Sequence, residues 1–366
     1  MNQIYLKKLQ LTNYRNLDNG IYTFSENINC IFGDNGNGKT NLLEAVFYLI
    51  NRKSFRKNTS FQQIISVESE KPEILFSAAL AQENSVQKSV TGKINNEQTQ
   101  WFLDNKQTNK KIDLKTVFIN PFDSFSFHST SSFRRNWIDT YLSMLDPAYK
   151  RCLSQFNTSL RFRNNLLSKK PQNYKEQILA NNPKLSELTV NLIRSKKQFL
   201  KEIKQYCDLT FKIIFNNVHN LELELTSKFA RNSYEEVLMY YNSSIEKDSI
   251  IGHTTSGVHR DDYIFLFDGY NSYEYCSLGQ QKMSFLSLLF AYIELFRYKF
   301  NAYPMVLIDD VSGELDERRW KNLISYLEAK KFQVLISTAN RGFKKELEQI
   351  EEAKKIFLEN GKLSFH

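Results

Sequence analysis

The stretch CIFGDNGNGKTNLLEAVF, Cys30 to Phe47, runs from a short apolar segment through three glycines into apolar residues at helical spacing. Within it, Gly33-Asp34-Asn35-Gly36-Asn37-Gly38-Lys39-Thr40 matches the phosphate-binding loop pattern G-x-x-x-x-G-K-[ST] in full. The residue types follow from the chemistry. Glycines let consecutive backbone N–H groups curl around phosphate oxygens with no Cβ in the way. The helix that follows adds its N-terminal partial positive charge to the same anion. Lys39 is placed to reach the β- and γ-phosphates, and the Thr40 hydroxyl to ligate Mg²⁺. A strand before the loop and a helix after it is the context this motif requires, so the expectation is a nucleoside triphosphate site.

Kinases, GTPases and motor ATPases share such a loop, and the residues that separate them lie far along the chain. In PMVLIDDVSGELDERRW, Pro304 to Trp320, four apolar residues deliver Asp309 to the end of a strand that reads as buried. There Asp309 can hold Mg²⁺ directly or through water, while Asp310 points differently and can polarise an attacking water. Taken alone, the segment also reads as an ordinary strand ending in an acidic turn. A third piece, CSLGQQKMSFLSLLF from Cys276, sets Ser277, Gly279 and Gln280 just before a long amphipathic helix, a second helix N-terminus suited to an anion. Ser and Gly cap many helices, so this segment gains its weight from the Asp-Asp strand about 30 residues later.

Composition narrows the class. The 366 residues allow two or three domains with their own cores, and 41% hydrophobic with 24% charged residues fits a globular chain. The longest apolar run, MSFLSLLFAYIELF from Met283, contains Glu294 and reads as a buried helix. MNQIYLKKLQL has none of the features of a signal peptide, so a cytoplasmic protein is expected. Cys30, Cys152, Cys207 and Cys276 show no paired spacing, and His253 and His259 read as loop residues, so no disulfide framework or histidine metal site is expected. The net charge of +9 is concentrated: Lys150 to Tyr206 holds nine Lys and four Arg against three Glu. Such a stripe is the footprint expected for a phosphate backbone, its bland counterpart being a solvated helix face.

The periodicities give a coarse map. IYLKKLQLTNY, NINCIF, EILFSAAL and KTVFIN read as strands, and Asn120-Pro121 marks a break. From about Phe133 to Lys247 there is no glycine, apolar residues recur near helical spacing, and Pro147, Pro171 and Pro183 mark loops or helix starts. DYIFLFDGYNSYEY then reads as strand with an Asp-Gly turn. The remainder alternates helix and strand, closing on a hairpin at Asn360-Gly361.

The three motifs together look like an ABC-type ATPase head, and their details resemble the RecF family of DNA repair proteins. The matching residues run along most of the chain: LQLTNYRNL from Leu9, GDNGNGKTNLLEA from Gly33, KSFR from Lys53, RRNWID from Arg134, GVHRDD from Gly257, SLGQQK from Ser277 and LIDDVSGELDERR from Leu307. The length leaves no room for the long coiled coil of the related chromosome-maintenance and double-strand-break ATPases. The resemblance implies an α/β fold, an ABC-type P-loop ATPase head with an inserted mainly helical lobe. Residues 1–132 would carry the phosphate loop, 133–250 the basic helical lobe, and 251–366 the signature and Asp-Asp segments.

It further implies two heads docked face to face as an ATP-dependent homodimer. Each ATP would lie on one phosphate loop and be capped by Ser277, Gly279 and Gln280 of the other subunit. Thr40 and Asp309 would hold Mg²⁺, and Asp310 would time release as the catalytic residue of a weak ATPase. Arg56 and Arg15 are candidates to sense the γ-phosphate or touch DNA, and Arg161, Arg163, Lys196 and Lys197 are candidate contacts in the basic lobe. The partners implied are duplex and gapped DNA, with RecR and RecO in loading RecA, and no membrane. Departures from the family pattern are Val258 for proline, Gly313 for serine, and the missing Gly and Pro before Arg134-Arg135; where transporters have a switch histidine, this chain has Thr338-Ala339, and the resembled family generally has threonine there too. Two other classes share some of these motifs, a transporter ATPase subunit and a P-loop small-molecule kinase.

Overall fold

A computed structural model describes residues 3–82, 87–120, 122–216, 218–310, 316–329 and 332–364. In chain order, the first elements are β1 (Ile4–Thr12), β2 (Ile21–Thr23), β3 (Ile28–Phe32), α1 (Lys39–Asn51), α2 (Phe61–Ile64), β4 (Ile74–Gln82), β5 (Lys88–Ile94), β6 (Thr99–Leu103), β7 (Lys106–Gln107) and β8 (Thr116–Ile119). There follow α3 (Asp123–Ser129), α4 (Ser131–Leu145), α5 (Pro147–Lys169), α6 (Tyr174–Phe215), β9 (Leu221–Thr226), α7 (Tyr234–Ser243), α8 (Ile245–Ile251), β10 (Asp262–Phe267), β11 (Tyr270–Asn271), α9 (Ser272–Tyr275) and α10 (Leu278–Phe300). The last are β12 (Met305–Asp309), α11 (Glu317–Ala329), β13 (Val334–Thr338), α12 (Arg341–Glu348), β14 (Lys354–Glu359) and β15 (Lys362–Ser364). Two compact units result, one of Met1–Asp123, Ile213–Phe215 and Phe296–His366, the other of Ser124–Lys212 and Asn216–Leu295.

Among the described residues the first unit holds two six-stranded sheets, β2-β1-β4-β5-β6-β7 and β15-β14-β3-β13-β12-β8. The first sheet is antiparallel throughout. Its strands alternate as a one-sided sheet requires: in β4, Ile74, Phe76, Ala78 and Leu80 are buried while Leu75 and Ser77 face out. The second sheet is parallel from β14 to β8. Its central strand β3 is buried at all five positions, as expected of a parallel strand covered on both faces. The apolar stripe of α1 (Leu42, Leu43, Val46, Leu49, Ile50) shares one core with β1, β4 and β5 of the first sheet and with Met305, Leu307 and Leu335 of the second. That packing fixes the N-terminus of α1 at the carboxyl ends of β3 and its parallel neighbours, where α/β sheets bind ligands.

The second unit is mainly helical with a three-stranded antiparallel sheet, β11-β10-β9, among the described residues. The Asp268-Gly269 turn has both φ values positive, 52° and 85°, the conformation that a two-residue hairpin asks for. Pro147 starts α5 at a position where its missing N–H costs nothing, and Asp146 caps the same turn by accepting from the Ala148 N–H. Pro183 departs from the expected loop or helix start: it lies inside the 42-residue α6. Two seven-residue ladders explain why the helix runs through it. Ile178, Leu185, Leu192 and Phe199 are buried, and so are Asn182, Thr189, Lys196, Ile203 and Thr210. Packing of this face outweighs the local cost of an exposed proline.

The unit boundaries fall elsewhere than the expected 132/133 and 250/251, because residues 251–295 cluster with the helical unit. Aromatic contacts account for this: Phe285 of α10 lies 5.1 Å from Phe127, and Tyr292 lies 4.5 Å from Tyr141 between ring centroids. The break expected at Asn120-Pro121 includes Pro121, which is outside the described residues. No helix among the described residues is long and apolar enough to cross a membrane.

Candidate nucleotide-binding site

The loop after β3 has the conformation its glycines allow. Gly38, which precedes α1, has φ 95°, and a Cβ there would stand 2.8 Å from Leu17 Cδ2. A Cβ on Gly33 would stand 2.5 Å from the Leu358 carbonyl oxygen. Lys39 is buried and folds back across the loop, donating to the carbonyls of Gly33 at 2.8 Å and Asp34 at 3.0 Å. Burial lowers its pKa, against the opposing pull of Asp310, Asp309 and Asp34. Asn37 donates to the Leu358 carbonyl at 3.1 Å, tying the loop to β14. Asp34, Asn35 and Gly36 are exposed.

Thr40, the second residue of α1, and Asp309, the last of β12, lie 269 positions apart in sequence, and the structure brings them together. The Thr40 hydroxyl lies 3.0 and 2.9 Å from the two carboxylate oxygens of Asp309. Ser337 of β13, the residue paired with Asp309 across the parallel ladder, donates to the same carboxylate at 2.7 Å. Burial raises the Asp309 pKa, helped by the neighbouring Asp310 and opposed by the Ser337 and Thr40 hydroxyls. A hydroxyl and a half-withdrawn carboxylate are hard oxygen donors, the set that suits Mg²⁺ beside a phosphate. Asp310 adopts φ 41° and donates its N–H to the Ser337 carbonyl at 3.2 Å, so the chain turns out of the strand at this residue. Ser337 was not singled out from sequence. Its signal was the register, one residue before Thr338.

Arg15 and Arg56 meet at one residue, Glu44 of α1, which is fully buried. In sequence, nothing distinguishes Glu44 from the other residues of its helix. In the second unit, Ser277 and Gln280 form a reciprocal cap at the start of α10. The Ser277 N–H donates to Gln280 Oε1 at 2.9 Å, and the Gln280 N–H to Ser277 Oγ at 3.2 Å. Around Gly279 the space is open, with Ser277 Oγ 3.9 Å from where a Cβ would stand. Buried His128 pins the segment from both sides, accepting from the Ser272 hydroxyl at 2.9 Å and donating to the Gln281 carbonyl at 3.0 Å. Gly313 lies outside the described residues. Val258 is buried at the start of a 3-10 turn.

Two of the proposed basic-lobe contacts are corrected. Arg163 is fully buried and spends its donors inside the unit: on Asp248 and Thr254 at 2.7 Å each, Asn182 at 3.2 Å, and the Tyr241 carbonyl and Ser244 hydroxyl at 3.3 Å each. Burial pushes the Asp248 carboxyl up, but hydrogen bonds from Thr255 and Arg163 more than offset it and hold the group below its usual value. Lys196 is buried against Asp261 at 3.3 Å. Its place on the inner seven-residue ladder of α6 is the reason, so neither residue offers a surface charge. Arg161 and Lys197 are exposed; Arg161 donates to the Asn157 carbonyl at 3.2 Å and Lys197 to that of Ala230.

A phosphate loop whose Thr40 meets a strand-end aspartate, with α1 packed between an antiparallel and a parallel sheet, defines a P-loop ATPase head of the ABC type. The family described as the RecF/RecN/SMC N terminal domain matches residues 5–364. The chain belongs to the RecF family. It is 31% identical over 341 residues to the DNA replication and repair protein RecF of Lachnoclostridium phytofermentans, covering 87% of this chain and 89% of that protein. With the RecF of Clostridium acetobutylicum it shares 30% identity over 346 residues, 93% and 94% of the two chains. A solved structure of the recombination mediator protein RecF with ATP matches its fold with a TM-score of 0.84 at 24% identity, covering 99% of this chain and 98% of that one.

Proposed function

We propose that this chain is an ATP-dependent DNA-binding protein of recombinational repair and replication, working in the RecFOR pathway. The observation that carries the reading is the convergence of Thr40 and Asp309 at the mouth of an intact phosphate loop, in a chain related over nearly its whole length to DNA replication and repair proteins. ATP would lie on residues Gly33 to Thr40, with Lys39 exchanging the Gly33 and Asp34 carbonyls for phosphate oxygens. Thr40 and Asp309 would hold Mg²⁺, which neutralises phosphate charge. Asp310 would orient water for slow hydrolysis. The exposed Ser277 cap would close on the ATP of a second copy, making the nucleotide the glue of a homodimer. Duplex DNA beside a gap would run over exposed charges of the helical unit, Arg161 and Lys197 among them, and RecO, RecR and RecA would be the proteins it serves.

Equilibrium ATP binding combined with light scattering tests both halves of the site. Lys39→Ala is expected to abolish ATP binding, and Ser277→Arg to keep it while blocking the ATP-dependent dimer. A normal dimer from Ser277→Arg would overturn the shared-site arrangement, and undiminished ATP affinity in Lys39→Ala the nucleotide site itself.

A further inference from the structure

Glu44 lies one helical turn beyond Thr40, and its side chain is wholly withdrawn from solvent. Three groups converge on that carboxylate. Arg15 grips it with both forks, Nε to Oε2 and NH2 to Oε1 at 2.8 Å each, and places its third nitrogen on the Gln63 carbonyl at 2.5 Å. The Ser54 hydroxyl donates at 2.5 Å. Arg56 adds a longer pair, NH1 to Oε2 at 3.4 Å, with the Ser54 oxygen accepting from its backbone N–H at 2.8 Å.

The two arginines are therefore not equivalent. One carboxylate cannot neutralise two guanidiniums, which never lose their charge, so one positive charge is left over. The surplus falls on Arg56. Its side chain is 37% exposed against 15% for Arg15, and its ion pair is the longer one. Its other terminal nitrogen is held by a neutral group, Asn41 Oδ1 at 2.7 Å. Asn41 follows Thr40 directly and continues a chain of contacts into the phosphate loop. Asn41 Nδ2 donates to Asn16 Oδ1 at 2.7 Å, and Asn16 Nδ2 to the Gly36 carbonyl at 2.9 Å.

We propose that Glu44 is a positioning residue that locks Arg15 as a strut and holds Arg56 in reserve for an incoming phosphate, for which its own carboxylate is the internal competitor. This rests on the nucleotide and DNA reading above, and the phosphate has two sources, the ATP γ-phosphate or the DNA backbone. When the phosphate arrives, Arg56 exchanges a long pair to Glu44 for a charge-assisted contact to the ligand, while Arg15 stays with Glu44 and keeps the buried carboxylate compensated. Releasing Arg56 also frees Asn41, and through Asn16 the carbonyl of Gly36.

The sign of the effect separates this from a purely structural role. Glu44→Gln removes the competing charge, and Glu44→Asp draws the carboxylate back from Arg56 while leaving Arg15 a buried anion. ATP binding and gapped-duplex binding are measured for both variants, in the native and Arg56→Ala backgrounds, on protein whose folding is checked by thermal melting. In the arm that supplies the phosphate, a folded variant is expected to bind roughly two- to fivefold more tightly, the range of one partly exposed ion pair. The gain should vanish in the Arg56→Ala background. Weaker or unchanged binding in both arms by a folded Glu44→Asp or Glu44→Gln protein overturns the proposal, as does a gain that persists without Arg56. Lys39→Ala is the separate control: retained ATP binding there would contradict the nucleotide site and leave the competition for Arg56 to be judged in the DNA arm.

Discussion

Asp309 carries its charge at the end of β12 under burial, with the Thr40 and Ser337 hydroxyls as its hydrogen-bond donors. Because burial raises its pKa from the ordinary value of 3.8, the folded protein holds a proton on this group more readily than the unfolded chain. The destabilisation is fully present above the folded pKa and is relieved as pH falls through that value toward 3.8. Asp309→Asn is therefore expected to raise the melting temperature of the nucleotide-free protein by roughly 2 °C near neutral pH, with the advantage shrinking as pH falls toward 3.8. Thermal melts of the two proteins at both pH values check this, and a lower or pH-independent midpoint difference would contradict it. Asp309 was legible in sequence because an apolar run ending in a carboxylate is itself a pattern. Ser337 and Glu44 were not, since one matters through the strand register and the other through arginines 29 and 12 positions away in sequence.

At the scale of elements, α6 shows where local rules yield to packing. Pro183 removes the N–H that would donate to the Leu179 carbonyl, yet both residues face solvent and the buried ladders continue on either side. Pro183→Ala restores that hydrogen bond without touching the core. The expected gain is about 1–2 kcal/mol, being the cost of an interior proline less the entropy that proline removes from the unfolded chain. An unchanged or lower urea midpoint would contradict this. The strands bearing the site were readable: β3, β12 and β13 are mainly apolar and buried, as covered parallel strands are, with Asn29 inside β3 and Ser337-Thr338 closing β13. The same seven-residue spacing of α6 that carries its apolar contacts also buries Lys196, and composition alone could not separate that lysine from its exposed neighbour Lys197. Arg163 of α5 is hidden from composition for a different reason, its partners Asp248 and Thr254 being supplied from 85 and 91 positions away.

On the scale of the whole molecule, the chain divides into two compact units whose boundary falls past Ser277, at residue 295, rather than at the expected 250. The long apolar helix α10 made that boundary hard to read: its composition suits either unit, and its contacts with Phe127, Tyr141, His128 and Thr210 assign its first part to the helical one. Burial takes Arg163 and Lys196 out of the exposed charge of Lys150 to Tyr206, yet Arg194, Lys197 and Lys201 remain exposed at i, i+3 and i+7 on one face of α6. Phosphate contacts through such a face make binding weakly sequence-dependent and steeply salt-dependent.

The most direct test of nucleotide-controlled DNA binding is the affinity of the Asp310→Asn protein for a gapped duplex with and without ATP, the substitution serving to keep ATP intact. The account predicts binding that appears only with ATP and falls steeply as salt is added. Binding that ignores ATP, or no binding in either state, would contradict it.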